Sequence, residues 1–259
     1  MAPKINVIVP IKRVIDYQLV PRVNPDKTLK ITNFAINPFD DIAIEESLKL
    51  KEAKFINKIK VLTITNNYKN ETKALKDLMI QSMAKGVDET KIISVTNSPN
   101  TPLIPLTIAK LIQKEVKEAD YNLVICGKQA IDDDSGNVGQ MLAGLLNWKQ
   151  ANNCCKVEPL GEDQLKLTKE IDNGEEIVEG ALPMVLTTDL RLNTPRYATL
   201  PKIMKAKKKP IAVEEVEIDT ALNSQLRISE YMEPPAKKQG KIFTTVEDLI
   251  NQMKQDKVI

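Results

Sequence analysis

The first half of the chain alternates short apolar runs with amphipathic stretches. INVIVP (5–10), KVLTIT (60–65), KIISVT (91–96) and YNLVIC (121–126) are apolar runs bounded by polar turns. Runs of that length predict strands buried on both faces. The stretches between them carry helical spacing. In NPFDDIAIEESLKLKEA (37–53), Ile44 and Leu48 fall four apart, and Glu45 precedes Lys49 at ion-pair distance along a helix. Asn37 predicts a cap there, and Pro38 a first helical residue, where no amide bond is lost. Asn70 predicts the cap of a second helix with Leu75, Leu78, Met79 and Met83 on one stripe, ended by Gly86. Thr101-Pro102 predicts the start of a third, with Ile104, Ile108, Leu111 and Ile112 on one face and Pro105 tolerated in its first turn. Strands alternating with such helices predict an α/β fold, a doubly wound and mostly parallel sheet covered on both faces. Right-handed crossovers bring the carboxyl ends of the strands to one edge, where open sheets of this kind bind ligands. Pro10, Asn66 and Gly127 lie just past strands at that edge.

After Trp148 the period changes. In QLKLTKEIDNGEEIVEG (164–180), Leu165, Leu167, Lys169 and Ile171 alternate before Asp-Asn-Gly, which predicts a β-hairpin. PMVLTTDL (183–190) is a further strand, and the proline-bounded loop TPRYATLP leads into the lysine-rich KIMKAKKKP (202–210). EPPAKKQG reads as a linker, and FTTVEDLINQMKQ as a short helix capped by Thr245 with Leu249 and Met253 on one face. The expected organisation is an α/β domain over 1–230 and an arm over 231–259. The arm either docks on a partner or folds back on its own domain.

Composition removes several chemistries. Histidine is absent, which excludes His-Asp relays, Cys-His pairs and His-ligated metals. The 37 basic and 35 acidic residues give no global attraction to nucleic acid or membrane. Cys126, Cys154 and Cys155 show neither C-x-x-C spacing nor a disulfide framework, so a reducing compartment is expected, with Cys126 a buried thiol at the end of its strand. No run of about 18 apolar residues exists, so no direct membrane insertion is expected. The start, MAPKINVIVPIKR, reads directly as a strand, and no cleavable leader is expected.

The turn CGKQAIDDDSGNVGQM (126–141) carries the most suggestive chemistry. It places Asp132, Asp133 and Asp134 where strand gives way to helix, with only Lys128 in the turn to offset them. Each aspartate is explained either as a cap on the helix start or as an acceptor for ribose hydroxyls. A phosphate would then lie further on, over the amides of Gly136, Asn137 and Val138. The acids disfavour a polyphosphate, and G-x-x-x-x-G-K-[ST] is absent. The pattern suits a nucleoside monophosphate that is held and not hydrolysed. In the second half, five lysines over 202–210 form either a solvated face or a patch for an acidic protein. With aromatics at 4%, nucleic acid is disfavoured. Leu200 beside Tyr197, flanked by Arg196, Lys202 and Lys205, has the form of an apolar anchor with a charged rim, or of a leucine tucked into the core.

KRVIDY, INPFDDIAIEE, GKQAIDDD, GQMLAGLLNW, EIDNGEE and TTDLRLNTPRYATLPKIMKAKKKPI resemble, in order along the chain, the electron transfer flavoprotein β-subunit family, and most of all its mitochondrial, fungal-type members. The resemblance implies a doubly wound sheet of the adenine-nucleotide-binding type and a heterodimer with an α subunit that carries most of the FAD contacts. It also implies a structural AMP on this chain. Electrons would come from acyl-CoA and related dehydrogenases and pass to electron transfer flavoprotein:ubiquinone oxidoreductase, so the chain is a carrier subunit and not an enzyme. Matched position by position, the AMP contacts are Pro10, Asn37, Pro38, Phe39, Asp40, Asn66, Gly127, Lys128, Gln129, Ala130, Ile131, Asp132, Asp133, Asp134, Ser135, Gly136, Asn137 and Val138. Tyr17 and Phe39 fall near the flavin, and Leu200 is the anchor that grips dehydrogenases.

Two positions depart from the pattern. Gly136-Asn137-Val138 stands where related chains commonly have Asn-Gln-Thr, so one hydroxyl bond to phosphate is lost and weaker AMP binding is expected. Asn66 replaces a cysteine, which a backbone contact tolerates. Asp133 favours AMP over the second FAD of the electron-bifurcating, NADH-linked branch. That branch and a stand-alone adenine-nucleotide module are the competing expectations. The expected compartment is the mitochondrial matrix, or the cytoplasm in a bacterial host.

Overall fold

Each apolar run forms a strand in a computed structural model of the chain, which describes residues 5–259 apart from 31–32, 100, 225, 227 and 237–238. Residues 1–4 of the expected opening strand and 237–238 of the expected linker therefore lie outside the described residues. β1 (Ile5–Pro10) leads into four short strands, β2 (Arg13–Ile15), β3 (Arg22–Val23), β4 (Leu29–Lys30) and β5 (Phe34–Ile36). These pair antiparallel, β2 with β5 and β3 with β4. Then follow α1 (Pro38–Glu52), β6 (Ile56–Thr65), α2 (Tyr68–Lys85), β7 (Glu89–Val95), α3 (Pro105–Glu118), β8 (Leu123–Gly127) and α4 (Val138–Leu146). The second half contains β9 (Lys149–Leu160), β10 (Gln164–Ile171), β11 (Gly174–Ala181), β12 (Met184–Thr188), α5 (Leu200–Ala206), β13 (Ala212–Val216), α6 (Thr220–Asn223) and α7 (Val246–Gln255).

The large sheet has nine strands in the order β11-β10-β9-β12-β8-β1-β6-β7-β13. From β9 to β13 neighbouring strands are parallel, and the β10–β11 hairpin is antiparallel at one edge. The chain moves outward from β1 through β6 to β7, then returns to β8 on the other flank of β1. That reversal opens a crevice at the carboxyl ends of β1 and β8.

Alternation explains why these strands read as unbroken apolar runs. Val7 and Val9 of β1 face a core built with Ile44, Leu48, Leu75 and Met79 of α1 and α2. Ile8 faces the opposite core, with Ile112 and Val116 of α3 and Leu142 of α4. Successive side chains of a strand point to opposite faces, so a sheet covered twice needs apolar residues throughout. Burying each such aliphatic side chain contributes about 1.5–3 kcal/mol.

Two helix starts differ from expectation. α2 is capped at Asn67, and Asn70 lies in its first turn with its side-chain amide donating to Asn67 Oδ1 at 2.7 Å. The earlier start brings Tyr68 against the α1–α2 core. α3 begins at Pro105 rather than near Pro102, because the carbonyls of Thr101 and Pro102 accept from Asn66 and Asn223. A proline at the first helical position forfeits no bond. The carboxyl-terminal helix is as expected: Thr245 Oγ1 accepts from the Asp248 amide at 3.2 Å. No residue of α7 is buried against the rest of the chain.

Candidate functional site

A cavity sits in the β1/β8 crevice. Pro10, Ile11 and Lys12 leave β1 along one wall, and Asn37 and Asp40 of the α1 start stand beside them. Ile64, Leu103, Pro105, Ile108 and Ile112 form an apolar wall from β6 and α3. The turn after β8 closes the rest with Cys126, Gly127, Lys128, Gln129, Ala130, Asp133 and the run Ser135 to Gly139. Position 136 is a glycine in the left-handed region, φ 57°, where a side chain would be strained.

The α1 start is the clamp that shapes this cavity. Asp40 Oδ2 accepts from the Lys12 amide at 2.7 Å and Oδ1 from the Gly127 amide at 3.1 Å, so one carboxylate ties the ends of β1 and β8. Asn37 occupies the cap position but makes no side-chain cap bond. Its Nδ2 donates to the Gln129 carbonyl at 2.8 Å, and its Oδ1 accepts from the Ile131 amide at 3.2 Å. Thr188 Oγ1 donates to the Phe39 carbonyl at 2.9 Å, which fixes the same turn from β12. Asp40 is buried, and burial pushes its pKa up to about 7 against the opposing pull of the two amides, Asn37 and the Lys12 charge.

The aspartate turn departs from the capping explanation. None of the three caps α4; Asn137 holds that position, without a side-chain bond. The offsetting charge is Lys12, whose Nζ lies 2.8 Å from Asp132 Oδ1 and 3.1 Å from Asp133 Oδ2. Partial burial pulls the Lys12 ammonium down, but its hydrogen bonds and the charges of both aspartates outweigh this and raise its pKa. Lys128, expected to offset the turn, pairs with Asp189 instead at 3.2 Å. Asp134 has φ 51° and accepts from Gln129 Nε2 at 2.7 Å. The start of α4 also lines the cavity and adds partial positive charge there, since the first amides of a helix have no intrahelical partner.

Of the expected contacts, Pro10, Asn37, Asp40, Gly127 to Ala130, Asp133 and Ser135 to Val138 line the cavity. Pro38, Phe39, Ile131, Asp132, Asp134 and Asn66 do not. Phe39 is buried, and Asn66 ties two loops by donating to the Ser98 and Thr101 carbonyls. Lys12 and the apolar wall of Ile64, Leu103, Pro105, Ile108 and Ile112 join the site with no local sequence signal placing them there. The helical spacing of Ile108 and Ile112 was visible, but not which neighbour they face.

A second feature packs against α1 and α2. Leu200 opens α5 rather than sitting in a loop, and Tyr197, Leu200 and Met204 are exposed, Tyr197 at 96% and Leu200 at 72%. The opposite side of this segment is anchored: Ala198, Ile203 and Ala206 pack on Ile80, Met83 and Ala84 of α2. Lys202 and Lys205 are exposed, as a rim requires, whereas the Arg196 guanidinium is turned inward onto Glu45 and Glu52. Tyr17 is also exposed.

Among the described residues there is no cluster of three His, Cys, Asp or Glu able to hold a metal, and no helix is long and apolar enough to cross a membrane. Cys126 is buried, and burial pushes its thiol pKa far up, so it is inert.

Comparison with known proteins adds a family. Residues 30–219 match the electron transfer flavoprotein domain. The chain is 45% identical over 262 residues to a probable electron transfer flavoprotein subunit beta of Saccharomyces cerevisiae, covering 99% of this chain and 98% of the relative. It is 40% identical over 255 residues to a mitochondrial electron transfer flavoprotein subunit beta of Oryza sativa subsp. indica, and 39% over 256 residues to the human subunit beta; each match covers 97% of this chain and 98% of the relative.

Proposed function

The chain belongs to the electron transfer flavoprotein β-subunit family and has its electron-transfer role, and from that premise we propose that the β1/β8 cavity holds AMP while the Tyr197–Leu200 surface docks electron donors. The observation that carries this reading is the convergence, at one topological switch, of an apolar wall and the start of α4. The wall offers Ile64, Ile108 and Ile112 to a purine face. The amides at Gly136 to Val138 suit a single phosphate, and Asp133, whose Oδ2 pairs with Lys12 and whose Oδ1 accepts from the Ser135 amide, keeps a second lone pair on Oδ2 for a ribose hydroxyl. Lys12, already paired with Asp132 and Asp133, leaves little cationic capacity for a second or third phosphate.

FAD, held mainly by an α subunit in a heterodimer, supplies the redox chemistry when bound. The β chain contributes position. It gives the α subunit a rigid platform, with Tyr17 near the flavin. Residues 231–259, beginning after the domain that ends near 230, serve as an arm whose exposed α7 packs on α. It carries no substrate chemistry of its own. Acyl-CoA dehydrogenases dock through Leu200 with Lys202 and Lys205 as a rim, and electrons leave to electron transfer flavoprotein:ubiquinone oxidoreductase. The mitochondrial matrix is the compartment, in keeping with relatives named mitochondrial.

Calorimetric titration of nucleotide-stripped heterodimer tests the cavity assignment. AMP is expected to bind one to one, with ATP and GMP much weaker. ATP binding as tightly as AMP would refute it.

A further inference from the structure

Arg196 stands next to the docking surface but does not belong to it. Its Nε lies 2.9 Å from Glu45 Oε2, and its Nη2 lies 2.9 Å from Glu45 Oε1, a two-pronged fork. Its Nη1 and Nη2 also reach Glu52, the latter at 3.1 Å. The Arg196 backbone amide donates to Glu45 Oε2 at 3.0 Å. Glu45 is 4% exposed, so it cannot touch any incoming protein. Three residues earlier, Asn193 Nδ2 donates to Glu46 Oε2 at 2.9 Å and to the Ile42 carbonyl at 3.1 Å. The segment before Leu200 is thus laced to α1, while Ile203 and Ala206 hold the segment after it on α2.

We propose that Arg196 is a positioning residue: forked onto Glu45, it locks the backbone that presents Tyr197 and Leu200, and so prepares the surface for dehydrogenase capture without contacting the dehydrogenase. The inference rests on the docking role of Leu200 proposed above. The physical reason is entropic. A loop that must be ordered during association loses affinity, and a pre-ordered one does not. A planar guanidinium can satisfy both oxygens of Glu45 while also meeting Glu52; a lysine cannot.

The test is steady-state reduction of the complete FAD-loaded heterodimer by an acyl-CoA dehydrogenase, comparing Arg196→Lys, Glu45→Gln and Leu200→Ala. Arg196→Lys keeps the charge and loses the fork. Glu45→Gln weakens the fork from inside, away from any interface. Both are expected to raise the KM for the heterodimer about tenfold, the effect of re-ordering two anchor side chains on binding, with kcat and FAD content held. A wild-type KM in Arg196→Lys and Glu45→Gln beside a raised KM in Leu200→Ala would overturn the positioning role and leave docking intact. A wild-type KM in Leu200→Ala would refute the docking reading itself, and this inference with it. Should Glu45→Gln not assemble, Arg196→Lys decides alone.

Discussion

Of the chain's described glycines, Gly127 at the β1/β8 crevice leaves the least room for an added Cβ, and replacing it with alanine gives a worked case. An added Cβ would lie 2.3 Å from Asp40 Oδ1, 2.8 Å from Phe39 Cβ and 3.0 Å from the Asp40 amide nitrogen. Two of these neighbours are held in place: the Asp40 carboxylate by the Lys12 amide, and the Phe39 turn by Thr188. Relief requires Asp40 to move by about an ångström, which breaks its 3.1 Å bond from the Gly127 amide. Overpacking costs about 1–3 kcal/mol, and leaving the part-buried Gly127 amide without its acceptor about 1–3 kcal/mol. Since one shift produces both, about 3–4 kcal/mol is expected. For a chain of this size that lowers the Tm by about 10 °C, read by circular dichroism of the heterodimer. Gly144, in α4, provides the control: nothing lies within 4 Å of its added Cβ, so Gly144→Ala is expected to stabilise by about 0.5–1 kcal/mol. A Gly127→Ala heterodimer melting within about 1 °C of wild type would refute the claim that Asp40 rigidly joins β1 to β8.

Asp40 also predicts a pH dependence. Its folded pKa of about 7 stands above the ordinary value of 3.8, so the fold binds the proton more tightly than the unfolded chain does. This contribution is fully present below about pH 4 and lost as pH rises through 7, amounting to about 4 kcal/mol at most; Asp40→Asn should flatten that part of a Tm-against-pH profile, and parallel profiles would contradict the assignment. Val138→Thr adds a hydroxyl at the start of α4 and is expected to tighten AMP about tenfold, the equivalent of one charge-assisted bond, by calorimetry. An unchanged Kd would mean that the phosphate lies elsewhere. Leu200→Ala should raise the KM of the heterodimer for an acyl-CoA dehydrogenase by about 30-fold, as loss of a central anchor does, with FAD content unchanged; equal kinetics would remove Leu200 from the docking surface.

Local pattern revealed most of the scaffold. The apolar runs became central strands because both faces of the sheet are covered, the Asp-Asn-Gly hairpin formed between β10 and β11, and Pro38 and Thr245 sit where their backbone chemistry fits. Tertiary hydrogen bonds account for what was illegible. Asn70 and Thr101 are acceptable caps in isolation, yet the helices start elsewhere because Tyr68 packs inward and the Thr101 carbonyl serves Asn66. Asn37 looks like a cap and works as a bridge to a turn 92 residues away. Lys12 neutralises aspartates 120 and 121 residues further on, which no window along the chain relates to it. The two-residue strands β3 and β4 are too short to carry a period. Arg196 reads as a rim charge because sequence shows its neighbours Tyr197 and Leu200, not the carboxylates of α1 that face it.

The central claim is that this chain, paired with its α subunit, carries one AMP and shares one flavin. Denaturing purified heterodimer and quantifying the released nucleotides tests it directly. One FAD and one AMP per dimer is the predicted result. Two FADs and no AMP would contradict it and assign the cavity to a second flavin.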